Sequence, residues 1–153
     1  SAANVFLVLQ TGEIVTPSLD RGTILPGVTR ESVLALIEEF ADELKVAMQE
    51  STGQSNVKAS SRDVTVSEIS NAAEAFATGT AAELVSIASL KTGKDEEAFE
   101  KVFKYGDSTG GPVTATLLKF LREAMVGKRA CKATEGWLRD PRESPKEFCK
   151  PAP

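Results

Sequence analysis

The sequence predicts an α+β fold, because strand-like apolar runs and amphipathic helical patterns share one chain of 153 residues. Residues 4–10 form a nearly continuous apolar run, which is typical of a strand covered on both faces. Residues 29–48 and 113–126 carry apolar side chains at three- and four-residue steps, the spacing of an amphipathic helix. This length is sufficient for one domain with its own core.

The first two strands are predicted to form a hairpin. Thr11 and Gly12 turn the chain, and residues 13–16 return as a strand that Pro17 ends. A two-stranded hairpin is barely stable alone, so the apolar first strand needs a second neighbour. The N-terminal side of this chain offers none. We therefore expect an unpaired edge on this strand, covered by a protein partner.

The longest predicted helix covers residues 29–48. Thr29 is its expected N-cap, because a threonine hydroxyl can accept a hydrogen bond from an amide of the first turn. The polar residues 49–61 predict a surface loop, with a short strand near residues 57–59.

The middle of the chain is predicted to alternate between short elements. Thr65 and Glu68 have the spacing of a capping box, which opens a short helix. Residues 74–78 and 82–90 are predicted strands on either side of a small-residue loop. For residues 95–104 the spacing of the apolar side chains favours a helix.

The last helix is predicted at residues 113–126. Pro112 suits its first position, and Gly127 suits its end. Its expected buried side chains are Leu117, Leu118, Leu121 and Met125. Residues 136–138 are expected to pack on the core. Residues 139–153, with four prolines and mixed charge, read as an irregular tail, so the predicted domain covers residues 1–138.

Composition excludes several classes of function. A net charge of −4 gives no overall attraction to nucleic acid or anionic lipid, and no apolar run approaches a transmembrane helix. Histidine is absent, which removes Ser-His and Cys-His catalysis and argues against a metal site. Cys131 and Cys149 are interpreted as two free thiols, with a disulfide as the alternative.

Two short loops carry the main functional signal. Residues 25–30 (the first loop) and 78–82 (the second loop) are rich in glycine or hydroxyl groups, and each follows a strand-like run. The first loop leads into a helix, whose N-terminal amides and dipole favour an anion such as phosphate. Each loop taken alone is more simply an ordinary tight turn. Neither is a nucleotide-binding fingerprint.

Taken together, these stretches resemble the fold type IV pyridoxal-phosphate aminotransferases, most closely the branched-chain amino-acid aminotransferases. The matching stretches follow the family's order: N-V-F-L-V (4–8), G-E-I-V-T-P (12–17), I-L-P-G-V-T-R (24–30), A-F-A-T-G-T-A-A (75–82), G-P-V-T (111–114) and G-W-L (136–138). The resemblance implies a mixed sheet or pseudo-barrel with flanking helices, forming part of the large domain of these enzymes.

The resemblance also implies roles for the first loop. The amides of Val28 and Thr29, which follow Gly27, would hold the phosphate of pyridoxal phosphate together with the Thr29 hydroxyl. Leu25 would lie against the pyridine ring.

In the second loop, Thr80 beside Gly79 would supply another phosphate contact. The amide of Ala81 would face the substrate carboxylate.

The resemblance does not include the groups that carry out the reaction in this family. No residue matches the motif around the family's cofactor-bearing lysine, and the carboxylate that pairs with the pyridine nitrogen would fall just before Ser1. We therefore assign no catalytic residue, and expect this polypeptide alone to be inactive and to bind the cofactor weakly or not at all.

Two hypotheses follow from this departure. The chain is a non-catalytic subunit of a larger assembly, which we favour narrowly at this point. Alternatively, it is the C-terminal part of a complete aminotransferase that passes amino groups to 2-oxoglutarate.

Overall fold

The computed structural model describes residues 3–95, 98–105 and 110–131. Its main strands are β1 (Asn4–Leu9), β2 (Glu13–Thr16), β3 (Lys58–Ser61), β4 (Ala72–Gly79) and β5 (Glu83–Ser86). They form one sheet in the order β3-β2-β1-β4-β5. β2 and β3 run parallel and the other neighbours run antiparallel, so the predicted mixed sheet is confirmed.

The remaining elements cover the two faces of this sheet. They are the helices α1 (Val28–Glu39), α2 (Ala41–Thr52), α3 (Val66–Asn71) and α4 (Pro112–Met125), and the hairpin strands β6 (Ser89–Asp95) and β7 (Ala98–Lys104). None of the helices in the described residues is long and apolar enough to cross a membrane.

β1 lies at the centre of the sheet, and the predicted unpaired edge is wrong. Leu7 lies opposite Val15 of β2 on one side, and Phe6 lies opposite Phe76 of β4 on the other. The second neighbour is β4, which returns from more than 60 residues further along the chain. Such non-local pairing leaves no trace in the local pattern of β1. Among the described strands, the sheet ends at β3 and β5.

The alternation of β1 places its side chains in two separate cores. Phe6 and Val8 face α1, α2 and α4, and the Phe6 ring stacks on Phe76 with a centroid distance of 4.9 Å. Leu7 and Leu9 face the opposite core, which includes Tyr105. The predicted burial of this strand on both faces is confirmed.

The predicted helix over residues 29–48 is divided into α1 and α2 at Phe40, whose φ of −111° and ψ of 26° break the helical path. No proline or glycine marks this break. The Phe40 ring packs edge-on against Phe120 at 5.6 Å, and the Arg129 guanidinium lies over both rings, at 4.5 and 3.9 Å from their centroids. These tertiary contacts accompany a turn that periodicity alone did not predict.

The helix predicted at residues 95–104 is also wrong, because these residues belong to the β6–β7 hairpin. Leu90 lies opposite Phe103 in this antiparallel pair. Aromatic and β-branched residues favour a strand once a partner strand is present, so pairing overrides the local helical spacing. The strand predicted at residues 82–90 is likewise interrupted between Ser86 and Ser89.

Other predicted elements are confirmed. Thr65 and Glu68 form the capping box of α3, and Pro112 occupies the first turn of α4. β3 occurs one residue beyond its predicted start.

Within α4, Leu117 and Leu121 are buried and Leu118 is partly buried, as predicted. Met125 is 49% exposed, so its predicted burial is wrong. It lies at the last helical turn, just before Gly127 adopts a φ of 71°. Cys131 lies in the main core. Cys149, residues 136–138 and the predicted tail at 139–153 are outside the described residues.

Arg62 links β2 to α3 through two carboxylates. It donates to Glu13 Oε2 and to Glu68 Oε1, each at 2.6 Å. The hydrogen bond from Arg62, followed by those from the backbone and side chain of Thr65, lowers the pKa of Glu68 from 4.5 to about 2. The Arg62 hydrogen bond also lowers the pKa of Glu13.

These depressed pKa values predict an acid-sensitive component of stability that depends on Arg62. It is fully present above the ordinary carboxyl pKa of 4.5 and is lost as the pH falls toward the folded-state values. We expect the urea midpoint of the Arg62→Gln variant to fall less than that of the wild type between about pH 5 and pH 2. Parallel midpoints across this range would contradict the assignment.

Candidate functional site

The two predicted loops meet at the start of β1. Asn4 lies opposite Thr78 in the β1–β4 register, which places it beside the second loop. Its side-chain Nδ2 donates a hydrogen bond of 2.9 Å to the carbonyl oxygen of Leu25 in the first loop. One buried side chain therefore connects two segments that are about 50 residues apart in sequence.

The first loop leads into an α1 N-terminus without a side-chain cap. Gly27 is the N-cap, with extended φ and ψ of −76° and 133°, and its carbonyl accepts from the Glu31 amide at 3.1 Å. Thr29 lies within the first turn, so its predicted role as N-cap is wrong. Gly27 already occupies the half-helical position. The first amides of α1 are thus left without a capping side chain, which is the arrangement that an anion can complete.

Two other helices in the described part of the chain have filled N-termini. At α4, Glu74 accepts from the amides of Val113 at 3.0 Å and Thr114 at 2.8 Å. At α3, the Thr65 hydroxyl accepts from the Glu68 amide. The N-terminal amides of α1 therefore have no side-chain acceptor, whereas those of α3 and α4 do. This difference favours anion binding at α1.

The side chains of the first loop are unusually exposed for apolar residues. Leu25 is 64% exposed and Val28 is 76% exposed. In the second loop β4 ends at Gly79, and Thr80 and Ala81 lie exposed in the turn that follows. A Cβ added at Gly79 would meet nothing within 4 Å, so this position has room around it. The structure thus presents the predicted contact residues at the surface, and their assigned roles stay predictions.

A buried hydroxyl lies beside the second loop. Thr78 is 1% exposed, and its Oγ1 has no hydrogen-bond partner. An unpartnered buried polar atom is costly and calls for a local explanation such as a water or a ligand. Together with the uncapped amides of α1, it makes this end of the sheet a suitable place for a phosphate group.

A buried arginine anchors the base of the first loop. Arg30 is 2% exposed, pairs with Glu31, and donates through one terminal nitrogen to the Pro17 carbonyl at 3.1 Å and to Ser61 Oγ at 2.6 Å. These contacts fix the first turn of α1 against the ends of β2 and β3.

The chemistry of the residues present fits the phosphate end of pyridoxal phosphate, which Val28, Thr29 and Thr80 would hold according to their predicted roles. Among the residues whose burial the structure describes, no lysine fits the reacting end of the cofactor. The lysines whose burial the structure describes are all exposed and outside both loops: Lys45, Lys58, Lys91, Lys104, Lys119 and Lys128.

The sequence patterns gave no role to three residues that the structure shows to be buried and hydrogen-bonded: Asn4, Arg30 and Glu74. Each is a polar residue inside or beside an apolar pattern, which is the signal that could have identified them. Asn4 opens the apolar run of β1, Arg30 occupies a core-facing position of α1, and Glu74 opens the predicted strand at residues 74–78. A polar residue at a core position indicates a buried hydrogen-bond network.

Comparisons with known proteins identify the family of this chain. Residues 1–90 match the family model for amino-transferase class IV. A methionine aminotransferase of Arabidopsis thaliana is 34% identical over 136 residues, covering 89% of this chain and 31% of the relative. The mitochondrial branched-chain-amino-acid aminotransferase 1 of the same plant is 36% identical over 140 residues, covering 90% and 29%.

Solved structures show the same fold. The branched-chain amino acid aminotransferase of Thermobaculum terrenum, in its pyridoxal-phosphate form, aligns with a TM-score of 0.56 and 28% identity, covering 84% of this chain and 33% of that chain. This chain spans about a third of the length of the curated relatives that it matches. On these grounds the chain belongs to the class IV aminotransferase family and resembles part of a branched-chain aminotransferase.

Proposed function

We propose that this chain is the phosphate-holding part of a branched-chain-aminotransferase-like protein that uses pyridoxal phosphate. The observation that carries the proposal is the uncapped N-terminus of α1, together with Asn4, which bonds to the first loop and lies opposite Thr78 of the second. Family membership supports the identity of the anion, because the relative from Thermobaculum terrenum was solved in its pyridoxal-phosphate form.

Each part of the site has a separate task in this proposal. The amides of Val28 and Thr29 bind the phosphate, Thr80 approaches it from the second loop, and exposed Leu25 covers the ring and excludes water. Arg30 holds the first turn of α1 in position from below. The amide of Ala81 orients the substrate carboxylate.

The chemical step needs groups beyond these. When bound, pyridoxal phosphate acts as the electron sink for reactions at the α-carbon of an amino acid. That chemistry requires a lysine beside the cofactor to move the proton. No lysine of this sequence lies in a stretch that matches the family's lysine motif, and the lysines whose burial the structure describes are exposed. We therefore propose that the reacting lysine is supplied from outside these 153 residues.

A non-catalytic subunit role has less support. Its main argument was an unpaired edge on β1, and β1 is paired on both sides. A protein partner that extended this sheet would have to pair with β3 or β5 instead.

Binding of pyridoxamine 5′-phosphate tests the proposal. This amine form cannot react with exposed lysines, and pyridoxamine is its matched control without phosphate. We expect calorimetry to detect binding of the phosphorylated compound only. The chain alone, supplied with pyridoxal phosphate, a branched-chain amino acid and 2-oxoglutarate, should show no turnover. Equal binding of both compounds, or turnover, would refute the proposal.

A proline substitution isolates one amide in the same assay. Val28 is the first residue of α1 and Gly27 before it is already extended, so Val28→Pro removes the N–H and still permits the helix. We expect affinity for pyridoxamine 5′-phosphate to fall about 10- to 100-fold, as for the loss of one charge-assisted hydrogen bond. Val66→Pro makes the same change at the first position of α3 and should leave binding unchanged.

A further inference from the structure

We propose that Asn4 is the positioning residue that sets the distance between the two phosphate-binding loops. This inference rests on the proposed function, since it assigns a task to Asn4 within that site. Asn4 does not contact the phosphate in this proposal. It acts through the backbone of the first loop.

A hydrogen bond connects Asn4 to the backbone of the first loop. Asn4 is 8% exposed, and its Nδ2 donates to the Leu25 carbonyl at 2.9 Å. The Leu25 side chain is 64% exposed and the Val28 side chain 76%, so the loop is not held by burying these apolar groups. The hydrogen bond from Asn4 to the backbone of the first loop therefore contributes more to the position of this loop.

Asn4 also packs closely against Gly27. A Cβ added at Gly27 would lie 2.4 Å from Asn4 Oδ1, well inside van der Waals contact. Gly27 has an ordinary extended backbone, so it is this close approach, and not a special φ, that requires glycine here. The amide group of Asn4 is thus confined between the Leu25 carbonyl and the N-cap of α1.

The register of β1 with β4 places Asn4 next to the start of the second loop. Asn4 lies opposite Thr78, which directly precedes Gly79 and the second loop. The backbone of Asn4 is fixed by the sheet, and its side chain fixes the first loop. Any displacement of this side chain therefore changes the position of the α1 amides relative to Thr80.

Asn4→Leu tests the inference, because leucine has a similar shape and no hydrogen-bond donor. Asn56→Leu is the control at the other end of β1: Asn56 Nδ2 donates to the Thr11 carbonyl at 2.8 Å and packs against Gly12, although Asn56, unlike Asn4, is exposed. We expect Asn4→Leu alone to shift the backbone amide resonances of Val28 and Gly79 in the ligand-free chain. It should also weaken pyridoxamine 5′-phosphate binding about tenfold or more.

Gly27→Ala provides a second variant should Asn4→Leu fail to fold. Its Cβ displaces the Asn4 side chain, so the same amide shifts are expected. In an Asn4→Ala background the added methyl group meets no such obstacle, and Gly27→Ala should then change binding little. This non-additivity is a result that a general loss of stability would not produce.

The outcomes separate the two proposals. If the wild type does not bind pyridoxamine 5′-phosphate, the proposed function fails, and the ligand-free amide shifts still decide whether Asn4 connects the loops. Unchanged Val28 and Gly79 resonances in Asn4→Leu, or equal shifts in Asn56→Leu, would overturn the inference. So would full pyridoxamine 5′-phosphate affinity in Asn4→Leu when the wild type binds.

Discussion

Glu74→Ala is expected to lower the free energy of unfolding by about 3–5 kcal/mol, because it leaves several buried donors without an acceptor. Glu74 is 3% exposed. Its carboxylate accepts from the amides of Val113 at 3.0 Å and Thr114 at 2.8 Å, and from the Thr114 hydroxyl at 2.6 Å. These bonds attach the N-terminus of α4 to the first half of β4. Urea unfolding monitored by circular dichroism would measure the loss.

Two further variants test the reason for this prediction. Glu74→Gln keeps the side-chain volume, but it replaces one acceptor oxygen by an NH2 group that faces other donors. Its loss of unfolding free energy should therefore approach that of Glu74→Ala. Glu68→Gln alters a glutamate that caps α3 and pairs with Arg62. It should cost far less, because both partners are partly exposed and water can solvate the groups that lose a bond. A Glu74→Ala variant as stable as Glu68→Gln would show that the α4 attachment does not hold the fold.

Arg30→Met is expected to destabilise the chain by about 3–5 kcal/mol, since it removes one member of a buried polar network. Methionine retains much of the arginine volume, so the lost donors dominate over any cavity. The Pro17 carbonyl and Ser61 hydroxyl would lose the bonds they receive at 3.1 and 2.6 Å. The same substitution at Arg122, which is 63% exposed and pairs with Glu83, is the control. Its expected cost is below about 1 kcal/mol.

Arg30→Met should also affect ligand binding at the candidate site. Because Arg30 fixes the first turn of α1, we expect Arg30→Met to weaken pyridoxamine 5′-phosphate binding at temperatures where the variant remains folded. Arg122→Met should leave that binding unchanged. Equal urea midpoints for the two variants would contradict a structural role for the buried guanidinium.

Local patterns predicted the elements that local residues specify. The capping box at Thr65, the proline that opens α4 and the alternation of β1 between two cores are all visible in a few neighbouring residues. The loops of the candidate site were found in the same way, because glycine and hydroxyl groups before a helix have a known physical use.

Three of the wrong predictions have a common physical cause, which is contact or strand pairing that the local pattern of a segment does not contain. The helix break at Phe40 goes with contacts to Phe120 and Arg129, which are about 80 and 90 residues away. The β6–β7 hairpin replaces a locally favoured helix through strand pairing. The second neighbour of β1 comes from β4, and the connection between the loops depends on Asn4 facing Leu25. Such contacts appear only once the chain is folded.

Mapping pyridoxamine 5′-phosphate onto the ¹⁵N-labelled chain tests the central claim most directly. If the open end of α1 and the second loop hold the phosphate, the largest amide shifts on titration will occur at Val28, Thr29 and Thr80, and pyridoxamine will not reproduce them. Largest shifts at Val113 and Thr114, where Glu74 already fills the helix end, or no saturable shifts anywhere, would contradict it.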